Sequence, residues 1–266
     1  MTTSTLRSRR VASTRELTAT PGGLAGRWSP PCGSATVTVD GPELGCHTAA
    51  VASLPALIRT ERLAFLDLLE TLTPEEWAVP SLCRGWTVQD VAAHLAVAPM
   101  APPDQALALL VRSGFRVNRV NAELAKSWSR RGREAVLEQL RTNAEKGAKP
   151  FGVPPPAALA DAVVHGLDVR RPLGRPRDVP LEAFTRVADS SVALRWPLTV
   201  LVGGSPRKRV RGVRLIADDV EWAYGEGPEV HGTSDSMLLL LAGRRLEPGE
   251  LSGRGAPVLY ERLAVS

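Results

Sequence analysis

Cysteine is scarce in this chain. There are three in 266 residues, Cys32, Cys46 and Cys83, an odd number with no C-x-x-C spacing. A disulfide framework is therefore not expected, and the usage suits a reducing cytoplasm. No stretch approaches the roughly 18 consecutive apolar residues of a membrane helix. Arg7, Arg9 and Arg10 lie near the N-terminus without the apolar stretch that a secretory signal places behind them. There is no Gly-rich phosphate loop and no internal repeat. Charge of one sign is weak too. Of the net +5, two units fall in the first 50 residues, where five arginines face three acids. What remains is too mild to argue for nucleic acid.

What the chain does have is ordinary globular composition, 44% apolar and 23% charged, and enough length for one large domain or two modest ones. Residues 1–48 hold no lasting periodicity, and turn formers recur in Pro21-Gly22-Gly23 and Ser29-Pro30-Pro31. A disordered tail is expected there, or an over-long start of translation. From Leu54 to Leu72 a leucine-rich stripe predicts a helix. Thr73-Pro74-Glu75-Glu76 has the form of a helix start, with Trp77 packing back on the first helix. Thr87 and Asp90 suit a capping box opening a helix that carries Val91, His94 and Leu95. Further helices are expected over 103–126 and 133–146, and Ala157 to Val169 reads as a strong one after Pro154-Pro155-Pro156.

Beyond Leu181 the texture changes. One more helix over Leu181–Leu194 precedes three expected antiparallel strands, Pro197–Val202, Arg209–Ala217 and Val220–Gly225. An apolar helix follows over Ser234–Ala242, then a strand or loop from Leu251, with His231 in a turn. The basic run Arg207-Lys208-Arg209-Val210-Arg211 lacks interleaved aromatics and is read as a solvated strand edge. An anionic thiol or a substrate carboxylate is its alternative partner. The expected fold is α+β: an antiparallel four-helix bundle over 49–178, then a small α+β domain over 179–266.

Three residues carry the chemistry. Asp161 and His165 are spaced i, i+4, so a helix points both from one face. Carboxylate oxygen and imidazole nitrogen are good ligands for a divalent metal, and His94 on a second helix could complete a three-ligand site with an open position. The bland alternative is two histidines hydrogen-bonded in a bundle core, with Asp161 capping or salt-bridging near its helix start. Asp168 either orients a ligand from behind or pairs with Arg170 or Arg171. Cys83, just before a helix, is weighed as a nucleophile and set aside as a small buried hydrophobe. Trp86 is assigned to packing, and His47 and His231 have no partner at ligand spacing.

The run from Pro80 to Leu95, with Cys83-Arg84-Gly85-Trp86 and His94, resembles the signature of the mycothiol-dependent maleylpyruvate isomerase family, within the DinB-like bundle group. Asp161-Ala-Val-Val-His165-Gly-Leu-Asp168 is similar to that family's second block. Gly227-Pro228-Glu229-Val230-His231-Gly232, before an apolar helix and Gly243-Arg244, is similar to its C-terminal region. The resemblance covers about 50–255. It implies a helical bundle holding a divalent metal, usually zinc, on His94, Asp161 and His165, under a sterol-carrier-like C-terminal domain. It departs at Asp161, where the characterised isomerase has glutamate. Aspartate is one methylene shorter, so direct ligation, ligation through water, or none stay open.

The implied activity is cytoplasmic metal-dependent chemistry with mycothiol as co-substrate, isomerising a small electrophile or transferring the thiol to it. A monomer or weak homodimer is expected, with no nucleic-acid or membrane partner. A non-catalytic binding module and a metal-dependent hydrolase are the alternatives, since a fold does not fix a substrate.

Overall fold

Short polar side chains set several of the helix starts along this chain: Ser53, Thr73, Thr87, Ser205 and Thr233 each accept from a backbone N–H of the first turn. The structure is a computed structural model that describes residues 52–100, 104, 108, 111, 116–149, 152–196, 198–199 and 204–264. The chain divides into Met1–Thr48 and Ala49–Ser266. The expected tail, with Cys32, Cys46 and His47, lies outside the described residues.

Helix α1, Leu54–Glu70, begins at Ser53, whose hydroxyl accepts from the Ala56 N–H. Helix α2, Pro74–Trp77, carries the Thr73–Glu76 capping box, and α3, Val88–Val97, the Thr87–Asp90 box. In the latter, the Asp90 N–H donates to Thr87 Oγ1 at 3.3 Å and the Thr87 N–H to Asp90 Oδ2 at 3.1 Å. The helix expected over 103–126 is seen as α4, Val117–Ser129; most of 101–115 lies outside the described residues. Helices α5, Arg133–Glu145, and α6, Pro155–Arg170, follow.

Helices α1, α3, α5 and α6 form the four-helix bundle: α1 packs on α5 and α6, and α3 on the same two. Buried Asn143 of α5 ties it to the C-terminal turn of α3, donating to the carbonyls of Leu95 and Ala96. Helix α4 flanks α3, and α7, Leu181–Ala193, flanks α6. Two apolar clusters fill the interior. One joins Phe65, Leu66 and Leu69 of α1 to Trp77, Val88, Val91 and Val136. The other joins Leu57, Leu159, Val163 and Leu167 to Phe184, Leu215 and Leu238–Leu241. Helices α1 and α6 feed both, and bundle and sheet share the second of them.

The C-terminal part corrects several expectations. The basic run does not start a strand: Pro206–Arg209 is a helical turn, α8, capped by the Ser205 hydroxyl, and Arg209 donates to the Leu241 carbonyl at 2.6 Å. Strand β1 spans only Arg214–Ala217, β2 Trp222–Tyr224, and an unexpected β3 Glu229–Gly232. His231 therefore lies in a strand rather than a turn. The expected strand Pro197–Val202 falls largely outside the described residues, though Leu198 and Thr199 are helical in their local turn.

The sheet order is β2-β1-β3 and it is mixed rather than antiparallel. Leu215 faces Tyr224 across an antiparallel pair, and Ile216 faces His231 across a parallel one. The reason is the return over Gly225–Pro228, which carries the chain past one end of β1 to its other edge. That passage needs glycine: Gly227 has φ 130°, and a Cβ there would stand 2.5 Å from the Gly212 carbonyl oxygen. Helix α9, Ser234–Leu241, buries all four of its leucines. The chain ends in α10, Ala256–Ala264, where a strand or loop was expected; Ala256, Leu259 and Leu263 recur at helical spacing on its buried face. Among the described residues, no helix is long and apolar enough to cross a membrane.

Candidate metal centre

The cap of α3 fixes where its second turn points, and there His94 is buried. Helix α6 runs alongside and presents Asp161 and His165 from consecutive turns. The structure brings the three together. Asp161 Oδ1 stands 3.5 Å from His94 Nε2 and 3.4 Å from His165 Nε2. One potential ligand atom from each residue lies within 4.8 Å of the others. The two imidazoles meet edge to face at 5.0 Å between centroids. A third of the Asp161 side chain (33%) remains accessible, against 9% for His94 and 13% for His165, so the cluster opens to solvent on the carboxylate side.

Behind His165 lies a second layer. Its Nδ1 is 2.9 Å from Asp168 Oδ2, and Asp168 has no exposed surface. Asp168 does not pair with Arg170 or Arg171. Its cationic partner is Arg244, just past α9, which donates from Nε to Oδ1 at 2.7 Å and from Nη2 to Oδ2 at 2.8 Å. Arg170 instead reaches the Ala64 carbonyl, and Arg171 the Ser236 hydroxyl and Glu250.

Electrostatics follow from this packing. Burial alone would raise both carboxyls. At Asp161 the imidazoles of His165 and His94 outweigh it, and at Asp168 Arg244 and then His165 do so, holding both well below the ordinary carboxylate range. Burial works against the His165 imidazolium, yet the Cys83 sulfur and the Asp161 and Asp168 carboxylates around it hold its pKa above the usual histidine value. Arg244 is likewise held above its ordinary value, the Asp168 carboxylate overcoming burial.

The α2–α3 loop completes the surroundings. Its ends are pinned by a bridge between Pro80 and Thr87, and Gly85 turns it with φ 76°. Trp86 stacks over His165 at 6.3 Å and tilts onto His94 at 5.3 Å, so it covers both imidazoles rather than only packing the helix start. Cys83 Sγ lies 3.0 Å from Asp168 Oδ2 and 3.6 Å from His165 Nδ1. The sequence reading found the three candidate ligands and Asp168. It missed the positions of Trp86, Cys83 and Arg244, because nothing in local spacing links residues 83 and 244 to residue 168. The one available signal was the Gly243-Arg244 pair, noted without a role. His231 is remote from this cluster in role, its Nδ1 lying 2.9 Å from Asp218.

The family model describing the mycothiol maleylpyruvate isomerase N-terminal domain matches residues 58–170, the stretch that holds most of α1, the other three bundle helices and all three clustered donors. Over these residues the chain is similar to that family. Among solved structures, the chain is similar to a mycothiol-dependent maleylpyruvate isomerase, with 15% identity, a TM-score of 0.50, and coverage of 76% of this chain and 91% of that one. A histidine-to-alanine mutant of a mycothiol-dependent maleylpyruvate isomerase matches at 13% identity and a TM-score of 0.43, with the same coverage. No curated protein matches in sequence. At such identity the structural likeness establishes the fold, an α+β arrangement of DinB-like bundle and small sheet shared with the isomerase family.

Proposed function

We propose that this protein is a mycothiol-dependent, divalent-metal enzyme that activates a thiol for isomerisation of, or transfer to, a small electrophilic substrate. The observation that carries the reading is the spacing of the donors. Atoms bound 2.0–2.1 Å from a tetrahedral zinc stand roughly 3.3–3.4 Å apart. Asp161 Oδ1 is 3.5 and 3.4 Å from the two Nε2 atoms. The shorter aspartate therefore already has the reach, and the missing methylene is no obstacle. Two imidazoles and one carboxylate suit Zn2+ and leave a position for chemistry.

The residues have distinct tasks in this reading. His94, Asp161 and His165 hold the ion through Nε2, Oδ1 and Nε2. Asp168 accepts the Nδ1 proton of His165, which keeps Nε2 free to ligate. Arg244 holds Asp168 ionised. Trp86 lies over both rings and keeps water from them. A bound divalent ion would favour the thiolate form of a thiol at the open position. Isomerisation then follows from thiol chemistry: the sulfur adds to a conjugated double bond, the resulting single bond rotates, and expulsion of the sulfur restores the alkene. In transfer, the new carbon–sulfur bond remains and a leaving group departs or an epoxide opens. The bundle over 49–178 carries the ligands, and the segment 179–266 closes over them through Arg244.

The test is elemental analysis of protein purified without added metal, beside His94→Ala and His165→Ala. Near-stoichiometric zinc or another divalent metal, lost in both variants while the helical circular dichroism persists, is expected. Electrophile-dependent consumption of mycothiol should accompany it. Turnover without thiol would point to a hydrolase, and bound metal without turnover to a binding module. A wild type that takes up no metal after reconstitution would sink the reading.

A further inference from the structure

Cys83 has no part in the function proposed above, yet its thiol touches the carboxylate that meets His165. Asp168 Oδ2 takes three donors: His165 Nδ1 at 2.9 Å, Arg244 Nη2 at 2.8 Å and Cys83 Sγ at 3.0 Å. Arg244 Nη2 also reaches Cys83 Sγ at 3.4 Å. The thiol therefore stands between the guanidinium and the carboxylate oxygen that holds the histidine. A carboxylate oxygen offers about two lone pairs, so three donors compete for Oδ2. Arg244 is the strongest of them, because its fork engages both oxygens. Sulfur beside Nη2 gives the guanidinium a second acceptor and limits how far it draws Oδ2 from the histidine.

The thiol is placed by the backbone, not by its own contacts. The Leu82 N–H donates to the Asp168 carbonyl at 3.0 Å, the Cys83 N–H to Ser81 Oγ at 3.2 Å, and the Trp86 N–H to the Cys83 carbonyl at 3.0 Å. Removing the side chain leaves all three anchors. We infer that Cys83 is a positioning residue for the metal ligand His165, acting through Asp168; this rests on the metal-centre reading above. Direct ligation is the rival role, since Cys83, His165 and Asp168 also have ligand atoms within 4.8 Å of one another. Arg244 already holds two of those three groups, and a cation would have to displace it.

The experiment uses full-length protein stripped of metal, and measures Zn2+ affinity by competition with a chromophoric chelator for wild type, Cys83→Ala and Cys83→Ser. Absorption of the Co2+-loaded forms is recorded alongside. The expected result is a loss of about 10-fold in affinity for Cys83→Ala, the lower end of what loss of an outer partner costs. Cys83→Ser, whose hydroxyl keeps an acceptor for Arg244 Nη2, should restore most of it, and thermal midpoints of the metal-free forms should stay together. Unchanged affinity in Cys83→Ala beside a zinc-binding wild type overturns this inference and leaves the metal centre standing. An equal loss in both variants overturns the polar role assigned to the sulfur beside Arg244. A thiolate-to-cobalt charge-transfer band that Cys83→Ser abolishes makes Cys83 a ligand and overturns it too. A wild type that binds neither ion removes both this inference and the reading beneath it. Should Cys83→Ala fail to fold, the serine variant and the cobalt spectrum decide alone.

Discussion

His165 Nδ1 and Asp168 Oδ2 lie 2.9 Å apart on the same helix, three residues from each other, with the carboxylate fully buried. This pairing orients the whole cluster. It faces Nδ1 to Asp168 and turns Nε2 toward Asp161 and His94. It also links the bundle to the end of α9, since Arg244 closes on the same carboxylate.

Asp168→Ala should therefore hurt both stability and metal binding. Removing one partner of a buried ion pair strands the other, at about 3–5 kcal/mol. A value near the low end is expected, because Arg244 keeps 22% of its side chain exposed and retains the Ala242 carbonyl. Denaturant midpoints measure the first effect. Chelator competition measures the second, expected at about 10- to 100-fold.

His231 offers a pH dependence away from the candidate metal centre. Asp218, first, and Glu229 raise its pKa above the ordinary 6.5. A group whose pKa is raised on folding contributes stability that is fully present below its unfolded value and is lost as pH rises through the folded value. His231→Gln should thus be less stable than wild type below about pH 6.5, with the two converging in mildly alkaline solution. Thermal midpoints across pH test this, and NMR titration of the ring should show the raised value directly. A gap between the proteins that does not change with pH would refute it.

Phe184 reports on the shared interior. It is fully buried on α7 and meets Trp222 of β2 edge to face at 5.6 Å. Phe184→Ala should cost about 3–5 kcal/mol by lost burial and cavity formation. Phe184→Leu should cost much less, and urea titrations of the two variants would measure the difference.

At Gly227, alanine would have to adopt φ 130° and place its Cβ 2.5 Å from a carbonyl oxygen. Gly227→Ala should destabilise by about 1–3 kcal/mol or more. Gly85→Ala is the contrast: φ is also positive, but nothing lies within 4 Å of the added carbon. Only the smaller conformational penalty is expected there.

Much of the helical half was legible because its signals are local. Thr87 and Asp90 stand three residues apart and cap α3 without help from elsewhere. Asp161 and His165 share a face by helical period alone. The sheet was harder to read. β3 is four residues long, with Val230 as its one large apolar side chain, and its pairing partner is fixed by a glycine passage that leaves no periodic trace. The C-terminal helix was misread because Ala256, Leu259 and Leu263 are few, and Ser252 just before them does make an isolated bridge to His231.

By itself, then, the sequence determined the caps, the bundle helices and which residues are candidate donors, since these depend on neighbours within one or two turns. The tertiary structure decided whether those donors meet. His94 reaches Asp161 from a helix 67 positions earlier in sequence, and Cys83 and Arg244 reach Asp168 from opposite sides along the chain. Such contacts arise from burial of the apolar faces of α1, α3, α5 and α6 against one another, a property of the packed whole that no local spacing encodes.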